Sequence, residues 1–218
     1  MAVPLAFDLV GDWTSARLMV RMVMLGDSPW DVLAAGFTHR DTGERVTLAM
    51  GPPQPALARA IAAGVDPARP TLDERLLEEV TAHRSVVVVA DPTGADPQRR
   101  AETLLRAAGQ IVNGGALAAR CRSSGLAHGA DGLHALVQRL DEADPDVLVE
   151  AYVRFDTDPA SARTWGMHAL GLPDLAFRVN PGPDRARAAL EAEALAWARS
   201  AGTTETGTPD DADPEDPR

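Results

Sequence analysis

The residues of this chain that could carry out chemistry are one cysteine, Cys121, and five scattered histidines. Cys121 lies between Arg120 and Arg122, and nearby positive charge stabilises a thiolate. Catalysis would also require a base such as His128, His134 or His168 within hydrogen-bond reach of the sulfur. Because no local signature of a cysteine protease surrounds Cys121, the sequence favours a reduced cysteine with a structural role.

Motifs for metals and phosphates are missing from the sequence. His128 and His134 are the closest pair of histidines, but they follow neither the H-x-H nor the H-E-x-x-H spacing. The acidic residues of 141–146 do not have the spacing of a calcium-binding EF-hand. The turn at 91–94 follows a strand-like run, yet the chain contains no lysine for a P-loop and no G-x-G-x-x-G. The sequence therefore predicts neither a metal nor a cofactor.

The densest group of informative residues is the segment 164–174, which reads TWGMHALGLPD. Glycine tolerates dihedral angles that other residues resist, and threonine and proline shape turns, so the pattern favours a structural loop with Trp165 and Met167 packed inward. In the alternative, His168 and Asp174 are polar members of a pocket around Trp165. The candidate binding residues are Thr164, Trp165, Gly166, Met167, His168, Gly171 and Asp174.

The elements that position these residues follow from hydrophobic periodicity and from capping and turn signals. The predicted strands are 16–25, 37–40, 45–50, 85–90, 116–121, 147–155 and 175–179. The predicted helices are 28–35, 56–63, one begun by a capping box at Thr71, one begun by Asp96-Pro97, one around 133–140, and 184–200.

The order of these elements predicts the fold class. The run 85–90 has no polar alternation, which is typical of a central strand with both faces covered. Strands and helices mix without strict βαβ alternation, which favours an α+β fold, a two-layer sandwich of a mixed sheet with helices packed on it. We expect one domain over 1–202 and a disordered acidic tail at 203–218.

Composition narrows the class of protein further. The chain has 218 residues, 45% of them hydrophobic, and a net charge of −11. An acidic surface repels phosphate backbones, so no nucleic-acid partner is expected. No run approaches the roughly 20 apolar residues of a membrane span. Asp8 and Asp12 interrupt the apolar N-terminus, which argues against a signal peptide and for a cytoplasmic protein.

Six residues of the segment 164–174, followed by an apolar strand and a helix, resemble the C-terminal signature of an uncharacterised bacterial family, the domain-of-unknown-function group numbered 4261. They are Thr164, Gly166, Met167, Gly171, Pro173 and Asp174. The resemblance extends to Ala82-His83-Arg84 before the valine strand and to the prolines of 52–55, and it covers most of 16–200. Asp174 stands where the family more often has glutamate. The resemblance implies no catalytic residue and no cofactor.

Without a coherent catalytic set, the sequence favours a cytoplasmic, non-catalytic accessory protein that binds another protein through its acidic surface, as an immunity or inhibitor protein does. One alternative is a small enzyme that uses Cys121, or His168 with Asp174, beside Trp165. Another is a regulatory protein that self-associates through an exposed Trp30, Trp165 or Trp197.

Overall fold

The larger of two sheets has seven strands in the structure, a computed structural model that describes residues 5–25, 28–158, 160–178 and 183–202. Its strands are β1 (Ala6–Gly11), β2 (Trp30–Leu33), β3 (Gly36–His39), β4 (Arg45–Gly51), β5 (Ser85–Ala90), β6 (Ala116–Cys121) and β7 (Ala127–Gly129). They lie in the order β2-β3-β4-β5-β1-β6-β7, and each of these ladders is antiparallel. The predicted tail at 203–218 lies outside the described residues.

Helices cover both faces of this sheet. The helices of the described residues are α1 (Ala16–Val23), α2 (Pro55–Gly64), α3 (Glu74–Thr81), α4 (Pro97–Asn113), α5 (Ala130–Asp141), α6 (Val147–Tyr152) and α7 (Pro183–Gly202). Those that pack directly on this sheet are α2, α3, α4 and α5. Because side chains alternate along a strand, Leu9 faces the large core around α4 while Val10 faces the smaller core under α2 and α3. The predicted α+β fold with helices packed on a sheet is confirmed, although the ladders are antiparallel and not mixed.

A second, smaller sheet has the strands β8 (Arg154–Thr157), β9 (Ser161–Trp165) and β10 (Ala176–Arg178), in the order β10-β9-β8. A short 3-10 helix, Met167–Leu170, lies between β9 and β10. Helix α7 packs on β8 and β9. The predicted loop 164–174 thus joins two neighbouring strands of this sheet.

The strand predicted at 16–25 is wrong, because this segment forms α1. Ser15 caps the helix, and its Oγ accepts a hydrogen bond of 3.2 Å from the Leu18 N–H. Met19 and Val23, four residues apart, are the buried positions. Apolar residues fill most positions here, so the sequence satisfies both a period of 2 and a period of 3.6, and the cap decides between them.

The helix predicted at 28–35 is also wrong, because β2 begins at Trp30. The Oγ of Ser28 accepts from the Trp30 N–H in a tight turn, and no helix follows. Trp30 is buried and packs edge-on against His39 at a centroid distance of 5.0 Å. This buried Trp30 excludes the predicted self-association through an exposed Trp30.

The strand predicted at 147–155 is divided into a helix and a strand. Residues 147–152 form α6, of which Val147, Val149 and Tyr152 are buried along with most of their neighbours, and β8 begins at Arg154. A short helix whose residues are nearly all buried has the same predominantly apolar sequence as a buried strand. Periodicity alone could not distinguish them.

The remaining predicted elements are confirmed. The hairpin of β3 and β4, the central position of β5 and the Asp96 cap of α4 agree with the sequence patterns. The cap of α3 is Asp73, whose side chain accepts from the Leu76 N–H at 2.7 Å, and not Thr71 as predicted. Among the described helices, none combines the length and the apolar composition that a membrane span requires.

Candidate functional site

The loop 164–174 is held by hydrogen bonds between its own ends. The Thr164 N–H donates to the Leu175 carbonyl at 2.9 Å, and the Leu175 N–H donates to Thr164 Oγ1 at 2.7 Å. Asp174 Oδ1 accepts from the Met167 N–H at 3.0 Å. Thr164 and Met167 are buried. These groups therefore fix the shape of the loop, as the structural reading of the sequence predicts.

Two glycines determine the path of the backbone through the loop. Gly166 has a φ of 102° and Gly171 a φ of 76°, which few other residues adopt. A Cβ on Gly166 would lie 2.3 Å from the carbonyl oxygen of Tyr152. The turn requires both the positive φ and the absence of a side chain, which agrees with the predicted backbone role of Gly166 and Gly171.

Trp165 points outward, so the predicted inward packing of this residue is wrong. Along β9 the buried side chains are Ala162 and Thr164, and the exposed ones are Arg163 and Trp165. The Arg163 guanidinium lies 5.1 Å from the centre of the Trp165 ring. Trp165 Nε1 donates to Asp156 at 2.9 Å. Trp165 is 41% exposed, and its indole contacts both Arg163 and Asp156.

We call the outer face of the small sheet, made of Arg154, Asp156, Arg163 and Trp165, the Trp165 face. The register places Arg154 opposite Trp165 and Asp156 opposite Arg163. Arg154 Nε also donates to Asp156, at 2.8 Å. The face thus presents one aromatic ring beside the Arg163 guanidinium, and a carboxylate, Asp156, that accepts from both Trp165 and Arg154.

His168 and Asp174 lie close to each other. His168 Nδ1 is 3.6 Å from Asp174 Oδ2, and the two side chains are 43% and 33% exposed. His168 lines a cavity of about 350 Å³ together with Arg100 and Ser123, and Trp165 is not on its wall. Asp174 is not on its wall either, so this cavity does not unite the three residues, and a pocket of His168 and Asp174 around Trp165 stays a prediction.

Cys121 is fully buried at the end of β6. Its Sγ lies 2.9 Å from Ser123 Oγ, and in the described part of the chain no histidine forms a hydrogen bond with it. A nucleophilic cysteine requires a base in contact with the sulfur. The arrangement supplies no such base.

The acidic cluster of 141–146 is engaged in ion pairs. Asp141 contacts Arg106, and Asp144 contacts Arg139. Asp146 contacts Arg199 at 2.6 Å. Over residues 5–25, 28–158, 160–178 and 183–202, no group of three or more histidine, cysteine, aspartate or glutamate side chains is arranged to hold a metal ion.

A second cavity, which the sequence does not predict, has a volume of about 200 Å³. It lies between β7, α5, α6, β8 and the connection from α2 to α3. We call it the His128 cavity; its wall includes Asp66, Leu136, Arg139, Glu150, Val153 and Phe155.

His128 is 6% exposed and belongs to β7. Its Nε2 lies 3.0 Å from the Ala151 carbonyl oxygen, and a carbonyl can only accept, so Nε2 carries the proton. Nδ1 is then an acceptor, and it has no hydrogen-bond partner within the part of the chain that the structure describes. Burial lowers the pKa of His128 below its ordinary value of 6.5, although the Ala151 carbonyl and the charges of Asp66 and Glu150 oppose this.

The charged side chains on the wall are paired with one another or with α7. Arg139 makes a bidentate contact with Glu150, at 2.7 and 3.0 Å. Arg69 contacts Glu150 and Glu191, and Asp66 contacts an arginine of α7. The rim of the cavity is therefore polar but electrically compensated.

We expect the stability of the protein to fall as pH drops below 6.5, in part because of His128. Its pKa is lower in the folded than in the unfolded protein, so the unfolded chain binds the proton first and acidification favours unfolding. Urea unfolding at several pH values above and below 6.5 measures this effect. The His128→Gln variant, which cannot titrate, should lose less stability across the same window; an equal loss would contradict the assignment.

Comparisons with models of protein families, with curated proteins and with solved structures find no match to this chain. The resemblance to the domain-of-unknown-function group numbered 4261 therefore stays a prediction. The Trp165 face and the two cavities are the features of the structure that bear on function.

Proposed function

We propose that this is a non-catalytic accessory protein that binds another protein, in the manner of an immunity or inhibitor protein, and that the Trp165 face is its docking surface. The observation that carries the proposal is the position of Trp165, which is 41% exposed yet fixed between Arg163 and Asp156.

The chemistry of this face is that of an interface centre. Tryptophan and arginine are the residue types that most often dominate binding energy at protein interfaces. Contacts with Arg163 and Asp156 restrict the Trp165 ring before any partner arrives. Binding then loses less side-chain entropy than it would with a mobile ring.

The charge of the chain favours a basic partner. The net charge of −11 creates a long-range field that speeds the approach of a positively charged protein. Close to Trp165 the charges are balanced, because Arg154 pairs with Asp156 and Arg163 pairs with Asp158. The charge of the whole surface thus speeds the approach of a partner, whereas Trp165 contributes to the affinity of the bound complex.

Replacing Trp165 with alanine should abolish capture of the partner. A tryptophan at the centre of an interface contributes about 2 kcal/mol or more, which corresponds to a loss of affinity of about thirtyfold. The test is affinity capture with the tagged full chain from its native cells, followed by mass spectrometry of the bound proteins at matched bait levels.

Met22→Ala is the matched control, because Met22 is 39% exposed on α1, an element outside the Trp165 face. The proposal requires a stoichiometric protein that wild type and Met22→Ala capture and Trp165→Ala does not. It fails if wild type captures nothing, or if Trp165→Ala captures the same protein equally well. Capture of the chain itself would favour the self-association alternative.

A further inference from the structure

The His128 cavity contains a hydrogen-bond acceptor without a donor. His128 is more than nine-tenths buried, and its Nε2 proton is used by the Ala151 carbonyl. Its Nδ1 accepts no hydrogen bond from the described residues, and His128 lines the cavity. A donor on a bound molecule would give this acceptor a hydrogen bond.

The ion pairs on the rim determine the charge of that molecule. Arg139 is held by Glu150 through two hydrogen bonds, and Arg69 contacts Glu150 and Glu191. An anion would have to separate these pairs before it gained a cation of its own. A cation would face the same cost at Glu150. The cavity therefore favours a neutral molecule.

The size and lining of the cavity determine the shape of the molecule that fits it. Leu126, Leu136, Val153 and Phe155 provide apolar wall around His128. Dry apolar cavities of about 150 Å³ bind benzene, and this cavity measures about 200 Å³. The available volume thus suits one aromatic ring with a small substituent.

We propose that the His128 cavity is a binding site for a neutral, single-ring aromatic molecule that carries one hydroxyl or N–H donor, with the donor bonded to His128 Nδ1. This site is separate from the Trp165 face, and the proposal goes beyond the binding of a protein partner.

The test compares phenol, toluene and benzoate as probes, with NMR titrations of the full 15N-labelled chain. Phenol and toluene have nearly the same shape, but only phenol donates a hydrogen bond. We expect phenol to bind about tenfold more tightly than toluene, as one buried hydrogen bond allows. Benzoate should bind more weakly than phenol. The 15N signal of His128 Nδ1 should shift with phenol only.

Two variants test the assignment to this cavity. His128→Leu has no hydrogen-bond acceptor in its side chain, so phenol and toluene should bind the folded variant equally. Ala135→Leu places a larger side chain at an exposed helix position on the cavity wall and should weaken both probes at least tenfold. Ala62→Leu, at an exposed position of α2 away from the cavity, is its matched control and should change neither affinity.

Several results would overturn the proposal. One is the absence of saturable shifts with millimolar phenol in the folded wild type. Another is equal affinity for phenol and toluene, which would mean that Nδ1 accepts no bond from the probe. Tighter binding of benzoate would assign the site to an anion. Unchanged binding to Ala135→Leu would place the probe elsewhere.

Discussion

The Gly166→Ala variant should lose about 3 kcal/mol or more of its free energy of unfolding. Gly166 has a φ of 102°, where a residue with a Cβ is strained by roughly 1–2 kcal/mol. The added Cβ would also lie 2.3 Å from the Tyr152 carbonyl oxygen and 2.8 Å from Ser124 Cβ. Urea unfolding of both proteins measures the loss.

Gly43→Ala separates the two causes of that loss. Gly43 has a φ of 70°, but a Cβ there would meet nothing within 4 Å. Its replacement should cost about 1 kcal/mol, from backbone strain alone. If Gly166→Ala cost no more than Gly43→Ala, the loop 164–174 would move away from Tyr152 easily, and its rigid, structural reading would be wrong.

Local signals predicted those elements that local interactions determine. Asp96 before Pro97 predicts the start of α4, and the Asp96 side chain does accept from the Arg99 N–H at 2.8 Å. The residues 41–44 predict the turn of the β3–β4 hairpin, and Gly43 there has a positive φ. In both places the backbone geometry depends on residues within four positions, which the sequence displays directly.

The errors occur where distant contacts decide the conformation. Trp30 lies in a strand because its ring packs on His39 and Phe37, and neither contact is visible in the local pattern 28–35. All residues of α6 except Glu150 are buried by other elements, so its sequence lacks the broad polar face that would identify a helix. Tertiary packing overrides propensity at both positions.

The candidate sites were predictable to different degrees. The backbone role of Gly166 and Gly171 follows from residue type, because positive φ is a local property. The His128 cavity does not follow from any motif, because its wall combines Asp66, Glu150 and Phe155 with a histidine far from each of them in sequence. Whether the segment 164–174 also binds a ligand or partner stays a prediction.

The Arg122→Met variant should lose about 3 kcal/mol of stability. Asp8 is 6% exposed on the interior strand β1, and Arg122 Nε donates to its Oδ1 at 2.8 Å. The same contact raises the pKa of Arg122, so its guanidinium stays charged. Without Arg122, the carboxylate of Asp8 stays in the sheet with no ion pair, and the cost of its desolvation is no longer offset. Urea unfolding near neutral pH measures the loss.

A second replacement shows whether this loss comes from the carboxylate. In Asp8→Asn/Arg122→Met the side chain at position 8 carries no charge, so at least half of the lost stability should return. Arg40→Met is the surface control: Arg40 and Asp31 form a pair whose side chains are 53% and 61% exposed, and its removal should cost about 1 kcal/mol or less. If Arg122→Met cost as little as Arg40→Met, a second cation would have to reach Asp8. The cross-strand neighbour Arg120, whose Nε is buried without a partner among the described residues, is placed to do so.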